Sequence, residues 1–282
     1  MTPQRSQKSH PPDSARSGFT LIELLAVILT IAMIASTLLP ALAKSNTKSQ
    51  GAQCSNNSRQ LVLGWSLYTS DNNGKICRTA GLDSLVSTVS LTKSYPLNQW
   101  CMGTMDSGPS WTNQVLIMDS LLFKFVNNLE AYRCPADLSS TQHGALNPYG
   151  GGGTRRLRSV SMNGWMNAIN SWSTDVRTGQ HPVKNFRMLG DVLKPEKTWV
   201  TIDENPASIN DGWFLCDPAR SGSWMDIPAT YHNGSGGLSF ADGHSEMKKW
   251  SDPALQSRSA DIGAVPKDKG VDLRWLQDRS TY

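Results

Sequence analysis

The pattern of apolar and polar positions sets the start of the chain apart from the rest. Residues 19–43, FTLIELLAVILTIAMIASTLLPALA, contain one acid, Glu23, no base, and one helix breaker, Pro40. A helix of about twenty apolar residues crosses a bilayer core, so this segment is long enough to span one. A removable secretory signal has a shorter apolar core followed by small residues, whereas here the small residue, Gly18, comes first. After Ala43 the sequence turns polar but keeps a helical rhythm: Cys54, Leu61, Trp65 and Tyr68 recur at spacings of seven, four and three, which places them on one face. The pattern therefore predicts an amphipathic continuation over residues 44–74, packed against a globular part. It should end at Asp71-Asn72-Asn73-Gly74, a turn string with a suitable capping glycine. Pro40 and Gly51 are the expected points of bending.

Further along, the periods shorten. Residues 75–111 read as short strands and loops around Gly81, Pro96, Gly103 and Pro109. Residues 113–130 predict a short amphipathic helix beginning near Asp119, with Leu122, Phe125, Val126 and Leu129 inward, left by a turn at Tyr132-Arg133-Cys134-Pro135-Ala136-Asp137. The glycine run at 150–153 reads as a flexible loop, because it lacks the lysine and the strand-loop-helix setting of a phosphate cradle. Residues 155–165 carry Arg155, Arg156 and Arg158 and then alternate polar with apolar, as a solvated edge strand would. Residues 198–203, TWVTID, form the clearest single strand, β-branched and bounded by Pro195 and Pro206. Near the end, two alternating runs flank Asp242-Gly243 and predict a hairpin with a two-residue turn, with Leu238 and Phe240 in the core and Met247 and Trp250 capping it. The tail from Ser251 is charged and expected to be loosely ordered, with Leu273, Trp275 and Leu276 as its docking residues. The whole predicts an α+β fold: a long N-terminal helix on an antiparallel β-sheet head spanning residues 75–250, with residues 251–282 as a tail.

Composition adds a compartment. The 282 residues suffice for a substantial core beyond the apolar segment. Of the formal charge of +4, residues 1–18 contribute +2 through Arg5, Lys8 and Arg16 against Asp13; the remainder holds 24 bases and 22 acids. That balance gives no electrostatic case for nucleic acid as a partner. A basic leader directly before the apolar segment predicts a cytoplasmic N-terminus, with everything after Ala43 on the far side of the membrane. Cys54, Cys77, Cys101, Cys134 and Cys216 would then lie where disulfides form, but five is odd, the connectivity stays open, and one thiol is expected to remain free or buried. The chain has no CxxC spacing, which argues against a zinc knuckle or a thioredoxin-like motif.

Glu23 needs explaining, since an ionisable side chain inside a spanning segment is costly and usually has a partner or a function. A carboxylate one turn into a helix can pair with a cationic group on a neighbouring helix at far less cost than either charge alone in lipid, and Gly18 leaves the backbone before the helix open to close approach. The string Gly18-Phe19-Thr20-Leu21-Ile22-Glu23 followed by an apolar helix with Pro40 resembles the class III signal of type IV pilins and type II secretion pseudopilins. The resemblance implies a leader, residues 1–18, that a prepilin peptidase removes by cutting between Gly18 and Phe19. It also implies N-methylation of Phe19, an assembly helix at 19–43, and a place in a filament of copies of itself or other pseudopilins in a bacterial inner membrane. The spacing His232-x9-Asp242-Gly243, together with Cys134-Pro135-Ala136-Asp137, Ser161-Met162-Asn163-Gly164, Asp203-Glu204 and Trp275-Leu276-Gln277-Asp278-Arg279, is similar to large pilin-like proteins with an H-x9-DG pattern.

Asp203, Glu204, His232, Asp242 and His244 are the candidates for chemistry. The sequence requires no cofactor, and the candidate ligand for these residues is a divalent cation such as calcium, which the resemblance to secretion pseudopilins also suggests. Calcium prefers oxygen ligands, however, and two histidines suit zinc or manganese better. The favoured reading is that His232 and Asp242 hydrogen-bond backbone and fix the hairpin. No catalytic residue is predicted. Ser239 and Ser245 lie near histidines only in sequence, and Asp203 and Glu204 are adjacent on a strand and so point to opposite faces. The main expectation is a structural subunit, not an enzyme. The alternatives are a carbohydrate-binding adhesin with Trp100, Trp111, Trp172 and Trp224 on one exposed face, and a membrane-anchored metal-dependent hydrolase with Asp203, His232 and Asp242 converging.

Overall fold

The computed structural model describes residues 19–79, 99–105, 108–142, 145–147, 153–168, 183–218, 224–252, 255 and 270–282. The leader with Gly18, the glycine run at 150–152 and Trp172 lie outside them. The chain divides into two units, Met1–Ser45 and Asn46–Tyr282.

The described part of the first unit is the beginning of helix α1, Leu21–Asp71, 51 residues long and unbroken at Pro40 and Gly51. This helix is long and apolar enough to cross a membrane, and none of its apolar window is buried. Leu21 is 82% exposed and Met33 67%, so the stretch has no core of its own among the described residues.

In the second unit the later turns of α1 obey the predicted stripe. Cys54, Leu61 and Trp65 are buried, with Asn57, Ser58, Val62 and Thr69 filling the same face, and Tyr68 packs beside them. The helix ends where the turn string predicts. Asn73 takes φ +55° and the Gly74 N–H returns to the Thr69 carbonyl at 2.8 Å, a Schellman-type stop. Opposite Gly64, a Cβ would lie 2.5 Å from Val126 Cγ2, so glycine permits the close approach of the segment that carries Phe125 and Val126.

Residues 113–130 do not form one helix. They break into α2, Gln114–Met118, α3, Phe123–Val126, and a 3-10 turn, Leu129–Tyr132. Asn113 caps α2 through Val115 N–H, and Asn127 stops α3 by taking the left-handed conformation at φ 47°. Leu122 is fully buried, while Phe125, Val126 and Leu129 are only partly so.

The main sheet has five strands: β4, Val160–Asn163; β5, Trp199–Asp203; β6, Trp213–Phe214; β7, Ser235–Phe240; and β8, Ser245–Lys249, in the order β6-β4-β5-β7-β8. A smaller sheet pairs β1, Ser140–Gln142, with β2, Ala145–Asn147, and β3, Thr154–Arg155. The expected antiparallel sheet is in fact mixed, because β6 joins β4 in parallel. The strand expected to be a solvated edge, β4, lies between β6 and β5 and is buried throughout. The basic run before it is compensated: Arg156 Nε meets Asp137 Oδ2 at 2.6 Å, and Arg158 donates to the Val160 carbonyl at 2.8 Å. β5 is the central strand and feeds two cores. Val200 joins Trp65, Tyr132 and Met162 in one, while Trp199 and Ile202 join Phe214, Leu238 and Trp250 in the other.

The hairpin turn is longer than Asp242-Gly243 alone. Gly243 N–H bonds the Phe240 carbonyl at 2.9 Å, Phe240 N–H bonds the His244 carbonyl at 2.9 Å, and only Gly243 has positive φ. This is a type I turn followed by a left-handed glycine, one of the common longer hairpin connections. Residues 270–282 are docked, through the residues expected to dock the tail. Helix α4, Val271–Gln277, buries Leu273 and Leu276 in the second core. Trp199 N–H also bonds the Arg279 carbonyl, and Asn163 reaches the Ser280 carbonyl.

Candidate functional site

Two places concentrate chemistry. At the start of α1, Thr20 and Glu23 form a reciprocal cap. The Thr20 N–H and hydroxyl donate to Glu23 Oε2 at 2.9 and 2.7 Å, and the Glu23 N–H donates back to Thr20 Oγ1 at 3.3 Å. The T-x-x-E signature of this cap stands in the sequence, and reading Glu23 as an acid in search of a cation passes over it. Phe19, next to the cap, is exposed.

The second place is buried inside the Asn46–Tyr282 unit. Cys54 comes from the inward stripe of α1, Cys134 from the turn after the 3-10 helix, Asp203 from the end of β5, and His232 from the turn leading into β7. One ligand atom from each lies within 4.8 Å of the others. Cys54 Sγ donates to Asp203 Oδ2 at 2.7 Å, and Cys134 Sγ stands 3.1 Å from His232 Nε2. The Gly237 N–H also donates to Asp203 Oδ2 at 3.0 Å, and a Cβ at 237 would lie 3.0 Å from both that oxygen and Cys54 Sγ. Glycine therefore keeps the space open. Asp203 Oδ1 and His232 Nδ1 are buried without a hydrogen-bond partner.

Burial dominates the electrostatics. It raises the Asp203 carboxyl to about 6 and lowers the His232 imidazole. The hydrogen bond with Cys134, then burial, holds Cys54 well up, and burial raises Cys134. Beside the cluster, Arg156 bridges Asp137 and the Tyr231 hydroxyl, the latter at 3.1 Å.

Of the five sequence candidates, the structure brings Asp203 and His232 together and leaves out the other three. Glu204 points to the opposite face, as strand alternation requires, and accepts from the Ser161 and Ser208 hydroxyls at 2.5 and 3.0 Å. Asp242 Oδ1 accepts from the His244 N–H at 3.1 Å and meets His244 Nδ1 at 2.6 Å at the hairpin tip, where the imidazole stacks on Phe240. Asp242 thus fixes its turn, while His232 does not, being engaged with Cys134. The constellation of Asp203, His232 and Asp242 required for a hydrolase is split. Trp100, Trp111 and Trp224 are buried, which removes them from any exposed carbohydrate platform. Cys54 and Cys134 escaped sequence reasoning because the four residues come from separate segments with no CxxC spacing; the one legible signal was the place of Cys54 on the buried stripe.

No family model, curated protein or solved structure matches the chain. The functional reading therefore rests on residues and geometry.

Proposed function

We propose that this protein is a pseudopilin-like structural subunit of a type II secretion or type IV pilus-like filament. It sits once in the bacterial inner membrane, with its N-terminus cytoplasmic and its head on the far side. Prepilin peptidase cuts between Gly18 and Phe19 and methylates the Phe19 amine. The observation that carries the reading is a helix of membrane-spanning length whose described apolar side chains, from Leu21 to Leu39 and at Leu42, are exposed, with a single acid one turn from the cut. Such a surface requires lipid or like helices around it. In the uncut chain Glu23 is held by Thr20. Cleavage supplies cationic Phe19 ends, and in a bundle the carboxylate of one helix pairs with the amine of the next, fixing axial register.

The test is mass spectrometry of the native N-terminus in membranes containing the peptidase. A chain beginning at methylated Phe19 is expected, and Gly18→Ala should abolish cutting. Glu23→Gln preserves the cap, since glutamine serves in the same box, but loses the charge. It should be processed normally yet lose incorporation into filaments about 10-fold or more, the order expected for a desolvated charge left unpaired. An intact Met1, or Glu23→Gln subunits that assemble as well as the parent, overturns the reading.

A further inference from the structure

The unassigned feature of the head is the buried cluster of Cys54, Cys134, Asp203 and His232. We propose that it is a closed four-ligand site for zinc, bound through two thiolates, an imidazole nitrogen and a carboxylate oxygen.

Geometry comes first. With metal–ligand bonds of about 2.0–2.3 Å, a tetrahedral site has edges of about 3.3–3.8 Å between donor atoms. All four donors already lie within 4.8 Å of one another, and the two close contacts, 2.7 and 3.1 Å, need to open by less than about 1 Å to reach those edges. The donors arrive from four different segments, so no local turn brings them together. A side chain at Gly237 would press on Cys54 Sγ, the carboxylate and Ser58 Oγ, so glycine leaves this side of the cluster unobstructed.

Satisfaction comes second. A buried carboxylate oxygen and a buried imidazole nitrogen without partners are expensive in an apolar interior. A divalent cation held by the cluster would neutralise the carboxylate charge, whichever oxygen ligates it. The donor set then selects the ion. Sulfur with nitrogen and one oxygen suits zinc and is wrong for calcium or magnesium, which take oxygen. Four protein ligands leave no open position for substrate, so the site is structural, tying α1 to the sheet at β5 and β7. On binding, each thiol releases its proton to solvent, and two thiolates, one carboxylate and a divalent ion leave the site with a single negative charge, beside Arg156.

The experiment uses the full-length protein in detergent. Metal analysis after expression with supplemental zinc should give one zinc per chain. Replacement by cobalt should give the thiolate-to-cobalt charge-transfer band and the intense visible bands of a tetrahedral centre. Cys134→Ser and Asp203→Asn should each weaken metal affinity by at least about 10-fold, the lower end of what losing even an outer partner costs. Cys216→Ser, buried elsewhere, should leave it unchanged. If a variant does not fold, the cobalt spectrum of the unaltered chain decides alone. Absence of stoichiometric metal with no cobalt spectrum, or peptide mapping that finds Cys54 joined to Cys134 in a disulfide, overturns the proposal.

Discussion

Glu204 and Asp226 show how much a single position in this head depends on context. Glu204 is buried, Asp226 stands close enough to raise it further, and Asp211 acts on both. Burial first, then the neighbouring Asp211 charge, lifts the Asp226 carboxyl from 3.8 to about 8, although its Oδ2 accepts the Leu215 N–H at 2.6 Å. The folded state therefore holds a proton that the unfolded chain gives up near pH 4, so this contribution is fully present in acid and lost as pH rises through about 8. Head stability should fall between pH 5 and 8, with a slope of at most about 1.4 kcal/mol per pH unit for each such group. Asp226→Asn keeps an acceptor for Leu215 and should flatten the slope in urea unfolding, leaving the variant more stable than the parent at pH 8. Parallel profiles for the two proteins would refute the assignment. The opposed directions of Asp203 and Glu204 were legible from strand alternation alone. Their partners were not, because Cys54, Ser161 and Asp226 belong to segments that only the fold brings near.

At the scale of elements, legibility followed local periodicity. The stripe of Cys54, Leu61 and Trp65, the stop at Asn73-Gly74 and the strand Trp199–Asp203 all express repeats contained within a few turns or residues. The elements read differently were decided at long range. The arginines before β4 mimic a solvated edge until Asp137 is seen to neutralise Arg156, and residues 113–130 carry a helical pattern that breaks between α2 and α3, where Leu121 N–H turns to the Gln99 carbonyl and Ser120 Oγ accepts from Met102 N–H, and again at the left-handed Asn127. The stripe makes a direct prediction. Trp65 is buried in the first core and Leu67, two residues on, is exposed. Trp65→Ala should cost about 3–5 kcal/mol by cavity formation, whereas Leu67→Ala should stay within about 0.5 kcal/mol. Denaturant unfolding of the head measures both. Equal losses would mean that α1 does not present the face described here.

Across the whole molecule, two units of opposite character share one helix. Residues of the first that are described bury nothing, and those of the second supply both large cores, including the C-terminal helix α4. Hydropathy sets this division apart in the sequence, and Leu273, Trp275 and Leu276 were legible there as docking residues; what was not legible is the surface they fill, which Trp199 and Trp250 supply from distant segments. If the second unit is self-sufficient, a chain beginning at Asn46 should unfold cooperatively in detergent-free buffer and remain in the soluble fraction. The full chain should partition with membranes and need detergent for extraction, because its exposed apolar helix has no partner among the described residues. Sedimentation and calorimetry of the two forms decide the matter. A shortened chain that aggregates or lacks a cooperative transition would mean that the apolar turns of α1 stabilise the head, and that anchoring and folding are a single event.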